Sequence, residues 1–262
     1  MNQPDKKVGL VLGGGVVRGL AHVGVVTVLE EAGIPIHLIA GASSGAIVGA
    51  AYAAGLGTAR LREMALKLRW RHVGIPVIPL RGFVSFVKLE KWLTGFIGDI
   101  TFDQLETRFT AVTTDIDTGE RVALQQGRVA TAVRASCSIP GLVTPVKIDG
   151  RNLVDGALSN NLPVTVVRDQ GADYVIAVDV MQPTVRRHWG ALGYGFAGIE
   201  LLIEHSGSGA LLADCLITPN LAGATYFRFS RINDLITRGE AAARAALPQI
   251  KADLYGTADF AD

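Results

Sequence analysis

Two short glycine-bracketed stretches in the first 45 residues carry residue types that can do chemistry. Gly41-Ala-Ser-Ser-Gly45 has the spacing G-x-S-x-G, in which a strand turns sharply into a helix and presents the serine. The spacing favours Ser43 as a nucleophile, and the amide of Ser44 could help to hold an oxyanion. Gly13-Gly14-Gly15, continuing through Val16-Val17-Arg18 to Gly19, follows the apolar run Val8–Leu12. Backbone N–H groups in such a turn can converge on an anion, helped by a helix dipole. A dinucleotide fingerprint would need a third glycine where Arg18 stands, and a P-loop would need Lys-Ser/Thr where Leu20-Ala21 stands. An oxyanion hole and a ligand-free tight turn both remain open for this loop.

A serine nucleophile needs a base. A triad in the order serine, acid, histidine leaves His188 and His205 as the histidines late enough in the chain. His205 falls inside a predicted helix and His188 follows a basic pair, neither in a small-residue turn, while His22 falls in the first helix as a packed residue. A carboxylate is the alternative. Asp155 closes the apolar segment Asn152-Leu-Val-Asp155 and is followed at once by Gly156. Asp149, before Gly150, sits in a hairpin-like turn, and Asp115 and Asp117 read as turn residues, because Gly119 comes one place too early for a calcium loop.

The surrounding pattern alternates strand and helix. Strands are expected at Val8–Leu12, Ile36–Ala40, Thr110–Ile116, Arg121–Leu124, Tyr174–Val180, Cys215–Thr218 and Tyr226–Phe229. Helices are expected at Leu20–Glu31, Ala46–Ala54, Arg60–Trp70, Leu89–Phe96, Val129–Ser136, Ile199–Leu212 and Asn233–Leu254, the last kinked or broken near Pro248. Strands separated by helices imply an α/β fold, a three-layer α/β/α sandwich on a mainly parallel sheet. The 262 residues carry no repeat and no linker, so one domain is expected over 1–262, with a core at about 8–218 and a C-terminal strand and helix at about 225–254 packed on it.

Composition narrows the function classes. Hydrophobic residues make up 49 % and charged residues 19 %, which excludes a disordered chain. A net charge of +1 gives no general nucleic-acid footprint. The chain has 31 glycines, without a collagen period. Ala32–Ala59, 28 residues without Asp, Glu, Lys or Arg, is long enough to cross a bilayer. Pro35, His37 and the glycines inside it favour a strand, tight turn and small-residue helix instead. Cys137 and Cys215 form no CxxC and read as reduced, buried thiols, and the start has no signal-peptide core, so a cytoplasmic location is expected. Residues 60–91 hold Arg60, Arg62, Lys67, Arg69, Arg71, Arg81, Lys88 and Lys91 against Glu63 and Glu90, interleaved with Trp70, Ile78, Phe83 and Phe86. That mixture suits peripheral contact with an anionic membrane, here its inner face.

Taken together, Gly13–Gly19, Gly41–Gly45 and Asp155-Gly156-Ala157, with Arg134-Ala-Ser-Cys-Ser-Ile-Pro-Gly141 between them, resemble the bacterial patatin-like phospholipase family. The resemblance covers about Val8–Val180. It implies a Ser–Asp dyad without histidine, carried here by Ser43 and Asp155, with Gly156 as its motif glycine and Gly41 and Gly45 as the elbow glycines. It implies an oxyanion hole from Gly13, Gly14, Gly15 and Ser44, and hydrolysis of lipid acyl esters without calcium, metal or cofactor. Ala157 stands where many members have glycine. Arg18 has two readings, a head-group ligand or a pin for the glycine loop. A nucleotide-binding α/β protein and a low-turnover regulatory protein on the same fold are the competing classes.

Overall fold

The computed structural model describes residues 6–181, 190–207, 209–224, 226 and 228–256. Its strands are β1 (Val8–Leu12), β2 (Leu38–Ala42), β3 (Ile75–Pro76), β4 (Val84–Ser85), β5 (Arg108–Asp115), β6 (Arg121–Leu124), β7 (Val146–Ile148), β8 (Arg151–Asp155), β9 (Tyr174–Val178) and β10 (Cys215–Ile217). Its helices are α1 (Ala21–Glu31), α2 (Ser44–Ala53), α3 (Thr58–Lys67), α4 (Trp70–Val73), α5 (Val87–Ile97), α6 (Val129–Ser136), α7 (Ala157–Asn160), α8 (Val164–Asp169), α9 (Gly190–Glu204), α10 (Gly209–Leu212) and α11 (Ile232–Tyr255).

One large sheet runs in the order β10-β9-β1-β2-β5-β8-β7, with β6 paired to β5. Its pairs from β10 to β5 are parallel. Beyond β5, the β5–β8, β7–β8 and β5–β6 pairs are antiparallel. Both faces are covered, which continuous apolar strands require. In β1, Val8, Leu10 and Leu12 enter one core and Val11 the other. In β9, Tyr174, Ile176 and Val178 oppose Val175 and Ala177 in the same way. The first core includes side chains of α1, α2, α3, α5, α6 and α11, and the second includes side chains of α8. The chain is therefore a three-layer α/β/α sandwich on a mainly parallel sheet.

The uncharged stretch 32–59 folds as β2, a sharp turn and α2, and no helix among the described residues is long and apolar enough to cross a membrane. Several expected elements differ in detail. Strand β2 runs to Ala42, so Gly41 belongs to the strand and the turn is tighter than expected. The expected helix Arg60–Trp70 is two helices, because Leu68 and Arg69 are extended between them. The expected helix Ile199–Leu212 starts earlier, at Gly190, and is broken between Glu204 and Gly209. None of the described residues of the expected strand Tyr226–Phe229 is in a strand: Tyr226 lies in a bend, and Phe229 opens a short 3-10 turn, while Phe227 lies outside the described residues. Pro248 sits inside α11, which continues through it. The two-residue strands β3 and β4 and the short helices α7 and α8 had no counterpart in the sequence reading.

Helices α1 and α11 cross at van der Waals distance between backbones. A Cβ on Gly24 would stand 2.0 Å from the carbonyl oxygen of Ile236, and one on Gly239 would stand 2.0 Å from that of Ala21. Exposed Gly195 in α9 has open space at the same position. Gly24→Ala should therefore lower the unfolding free energy by about 1–3 kcal/mol through overpacking. Gly195→Ala should raise it by up to about 1 kcal/mol through helix propensity. Urea unfolding of both variants checks this pair, and an unchanged midpoint for Gly24→Ala would refute the close crossing.

Candidate active site

Strand β5 is the ruler on which the site is laid out. Its neighbour β2 pairs Ala42 with Val112, and its other neighbour β8 pairs Asp155 with Thr113. Ser43, one residue past Ala42, and Asp155 thus flank the same two residues of β5. Their side chains meet: Ser43 Oγ donates to Asp155 Oδ2 at 2.7 Å, with the two residues 6 % and 2 % exposed. The second carboxylate oxygen, Oδ1, accepts the Ala157 amide at 2.9 Å.

The elbow forms because its neighbours leave no alternative. Ser43 has φ 52° and ψ −122°, a left-handed conformation unfavourable for a residue with a side chain. Its amide donates to Ser136 Oγ at 2.9 Å, and Ser136 Oγ donates to the Val112 carbonyl at 2.6 Å. A Cβ on Gly45 would lie 2.0 Å from the Leu12 carbonyl oxygen, so only glycine lets α2 start this close to β1. Gly41 has the same constraint at 2.6 Å from the Gly45 carbonyl, and Gly156 at 2.0 Å from that of Val112. Val16, in the glycine loop, is also left-handed at φ 50°. The third such non-glycine residue, Asp149, occupies the turn between β7 and β8, where a hairpin was expected.

The four expected oxyanion donors are not equivalent. The Gly13 amide is spent on the Val178 carbonyl at 3.1 Å, as a continuation of the β1–β9 ladder, which removes Gly13 from the donor set. The Gly14 amide donates to Asn161 Oδ1 at 2.8 Å. The Gly15 amide has no hydrogen-bond partner among the described residues. Ser44 opens α2, where first-turn amides have no partner within the helix and the dipole is positive. The loop is fixed from behind by His22, whose Nε2 lies 2.7 Å from the Gly13 carbonyl and must carry the proton to bond it. Complete burial pushes the pKa of His22 down to about 4, so the ring is neutral.

Arg18 is fully buried. Its guanidinium donates to the Ala224 carbonyl through Nε and Nη2 and to Tyr226 Oη through Nη1, and lies 4.0 Å from the Tyr226 ring centre. Of its two roles, this geometry fits the pin, with Ala224 and Tyr226 held onto the glycine loop. His205 is exposed, and its Nδ1 lies 2.8 Å from the Leu201 carbonyl one turn back; Ser43 Oγ bonds Asp155 and not His205. His188 lies outside the described residues. No group of three or more potential metal ligands occurs among the described residues.

Burial sets the electrostatics. Desolvation raises the Asp155 pKa to about 6, against the lowering effect of the bonds from Ser43 and Ala157. A carboxyl so tuned is a better proton acceptor than a solvated aspartate and is still ionised at neutral pH. The Cys137 thiol, buried nearby, is pushed well up by desolvation and by the Asp155 charge, so it stays protonated. Both cysteines are free and buried.

Two depressions meet at Ser43. The first is walled by Ile47, Leu68, Trp70, Val73, Phe86, Leu142 and Phe229 among others, with no charged side chain. The second is bounded by the glycine loop, Asp155 and the inner face of α9, and includes Glu200 and Tyr226. A carbonyl at Ser43 could thus place one substituent in an apolar cleft and the other in a mixed one. Ser136, Asn161 and His22 are the supporting residues that sequence reasoning did not assign to the site. Asn160-Asn161 before Leu162-Pro163 is the one local signal, since paired asparagines ahead of a proline mark a special turn.

The sequence profile described as "Patatin-like phospholipase" matches residues 10–168, more than half of the chain and inclusive of Ser43 and Asp155. An uncharacterized NTE family protein of Mycobacterium tuberculosis is 38 % identical over 182 residues, 69 % of this chain and 31 % of the relative. A second from that organism is 38 % identical over 180 residues, 66 % and 49 % of the two chains. Lysophospholipase NTE1 of Scheffersomyces stipitis is 35 % identical over 182 residues, 67 % of this chain and 12 % of the relative. The chain thus matches at most about half the length of these relatives. Among solved structures, VipD from Legionella pneumophila superposes with TM-score 0.59 at 15 % identity, covering 94 % of this chain and 67 % of VipD. The type III effector ExoU gives 0.53 at 14 %, covering 94 % and 54 %. By the extent of the profile match, this chain belongs to the patatin-like phospholipase family.

Proposed function

We propose that the chain is a serine lipid acyl hydrolase acting as one catalytic unit, with phospholipids or lysophospholipids as the substrate class, met at a lipid surface by peripheral contact. The observation that carries this reading is the buried 2.7 Å bond from Ser43 to Asp155 beside an apolar cleft. Family membership and a relative named lysophospholipase support the substrate class.

In this reading Asp155 Oδ2 accepts the Ser43 hydroxyl proton as Oγ attacks the ester carbonyl. The Gly15 and Ser44 amides stabilise the oxyanion, while the Gly14 amide, bonded to Asn161 Oδ1, holds the loop in place for them. Collapse expels the alcohol, which takes the proton from Asp155, and leaves an acyl-Ser43. Asp155 then removes a proton from water, which attacks the acyl group; collapse frees the fatty acid as Ser43 Oγ takes that proton back from Asp155, restoring the hydroxyl and the carboxylate. No metal, cofactor or histidine takes part.

Ser43→Ala and Asp155→Asn should each reduce hydrolysis of a p-nitrophenyl acyl ester by at least about a thousandfold with the fold intact by circular dichroism. Full activity of either would sink the dyad. Catalysis needs the carboxylate, so kcat/KM of the wild type should fall as pH drops through about 6. The stability effect has the opposite sign. A carboxyl pKa raised in the folded state favours folding below the unfolded pKa, and that contribution is lost as pH rises through about 6. Asp155→Asn should therefore be more stable than wild type at pH 8, by up to about 3 kcal/mol, and no more stable at pH 4. Equal denaturation midpoints at pH 8 would contradict the burial argument. Asn161→Ala should lower kcat by up to about a hundredfold with KM little changed, because the glycine loop loses its pin. An unchanged kcat would remove Asn161 from the site.

A further inference from the structure

We infer that the ribbon formed by β3, β4 and the turn between them docks on an anionic lipid bilayer and sets the mouth of the apolar cleft on the lipid surface. The inference rests on the reading of Ser43 as an acyl-ester nucleophile and adds where its substrate comes from.

The structure divides the basic, apolar 60–91 segment in two. In α3 two of the three cations are ion-paired within the protein: Arg62 with Glu240 of α11, and Lys67 with Glu63 one turn back. Arg69 bonds the Leu66 and Leu68 carbonyls. Beyond Trp70 the balance changes. Arg81, Lys88 and Lys91 are exposed and have no acidic partner among the described residues. The nearby acid, Glu90, is turned inward to Arg134 at 2.7 Å and Arg128 at 3.7 Å.

The ribbon tip is apolar where water would select polar residues. Ile78 is 80 % exposed and Leu80 is 86 % exposed. Phe83 and Val87, at 48 % and 43 %, continue the surface towards Lys88 and Lys91 on the first turns of α5. This display is held in place. The Leu80 amide donates to the Ile78 carbonyl at 2.8 Å, closing the tip, and the Val77 amide donates to that of Phe83 at 3.1 Å. The Phe83 amide donates to the Leu142 carbonyl at 2.8 Å, and the Thr144 amide to that of Val84 at 2.9 Å. The base of the ribbon is also a wall of the cleft. Leu142, which anchors the ribbon, Phe86, which follows β4, and Trp70, which stands edge-on to Phe229 at 5.2 Å, all line the cleft that ends at Ser43.

Charge selects the occupant. A second copy docked by its own ribbon would bring Arg81, Lys88 and Lys91 against like charges, whereas anionic head groups neutralise them while the tip enters the acyl region. Each cation near such a surface is worth roughly a fivefold change in partitioning.

The test uses the full chain with vesicles of phosphatidylglycerol and phosphatidylcholine, and with vesicles of phosphatidylcholine alone. Co-sedimentation should be strong on the anionic vesicles at low salt and weak on the neutral ones. Arg81→Gln/Lys88→Gln/Lys91→Gln should weaken it on the order of a hundredfold, and Ile78→Ser/Leu80→Ser should weaken it about tenfold or more. Hydrolysis of vesicle phospholipid should fall with binding, while that of a soluble short-chain p-nitrophenyl ester stays within about twofold of wild type. Wild-type binding by both variants, or no wild-type binding to anionic vesicles, overturns the ribbon. Capture of an acidic protein by the ribbon without vesicle binding overturns the bilayer as its partner. Ribbon-dependent binding by a wild type that hydrolyses no ester supports the docking surface and overturns the hydrolase reading instead.

Discussion

The hydrogen bond between Ser43 and Asp155 is the constraint around which this structure is arranged. A carboxylate 2 % exposed is costly to ionise, and a serine at φ 52° is costly to hold. Neither would persist without surroundings that over-determine it. The register of β5 supplies them by bringing both residues beside Val112 and Thr113. Around the Val112 carbonyl the site is almost fully packed: Ser136 bonds it and holds the Ser43 amide, and Gly156 lies against it with no room for a side chain. The change from parallel to antiparallel pairing at β5 also has a purpose here. It lets β8 arrive from the opposite direction and end on Asp155, facing a serine that leaves a parallel strand.

The same burial that costs stability makes the Asp155 carboxylate more basic. A solvated aspartate is a weaker base, and desolvation moves the Asp155 pKa up to about 6, towards neutral pH. Two other titratable groups near Ser43 are kept in one state. His22 is held neutral and Cys137 protonated, both by burial. Asp155, by contrast, is raised to about 6, so its charge changes close to neutral pH.

What was legible in the sequence was what local chemistry dictates. The elbow announces itself through Gly41 and Gly45, because their missing side chains are demanded by backbone atoms of β1 and α2 a few residues away in space. Asp155 was legible as an acid at the end of an apolar strand, next to a glycine. The division of labour among the glycine-loop amides was not. The partner of Gly13, Val178, and that of Gly14, Asn161, lie more than a hundred residues on, and no local pattern encodes those bonds. The aromatic stretch Tyr226–Phe229 looked like a strand by composition, yet Tyr226 instead packs on the Arg18 guanidinium. The ribbon of β3 and β4 escaped notice because two-residue strands have no period to detect. Its basic and apolar composition was visible, but only the folded chain separates its unpaired cations from those that α3 spends on Glu240 and Glu63.

The central claim is that Ser43 is a nucleophile made reactive by Asp155, and covalent labelling tests it most directly. A fluorophosphonate should add one phosphonyl group to the wild type, and peptide mass spectrometry should place it on Ser43. Asp155→Asn should react at least about a hundredfold more slowly at pH 8, with its fold intact. Modification at another serine, or equal labelling rates for wild type and Asp155→Asn, would contradict the account.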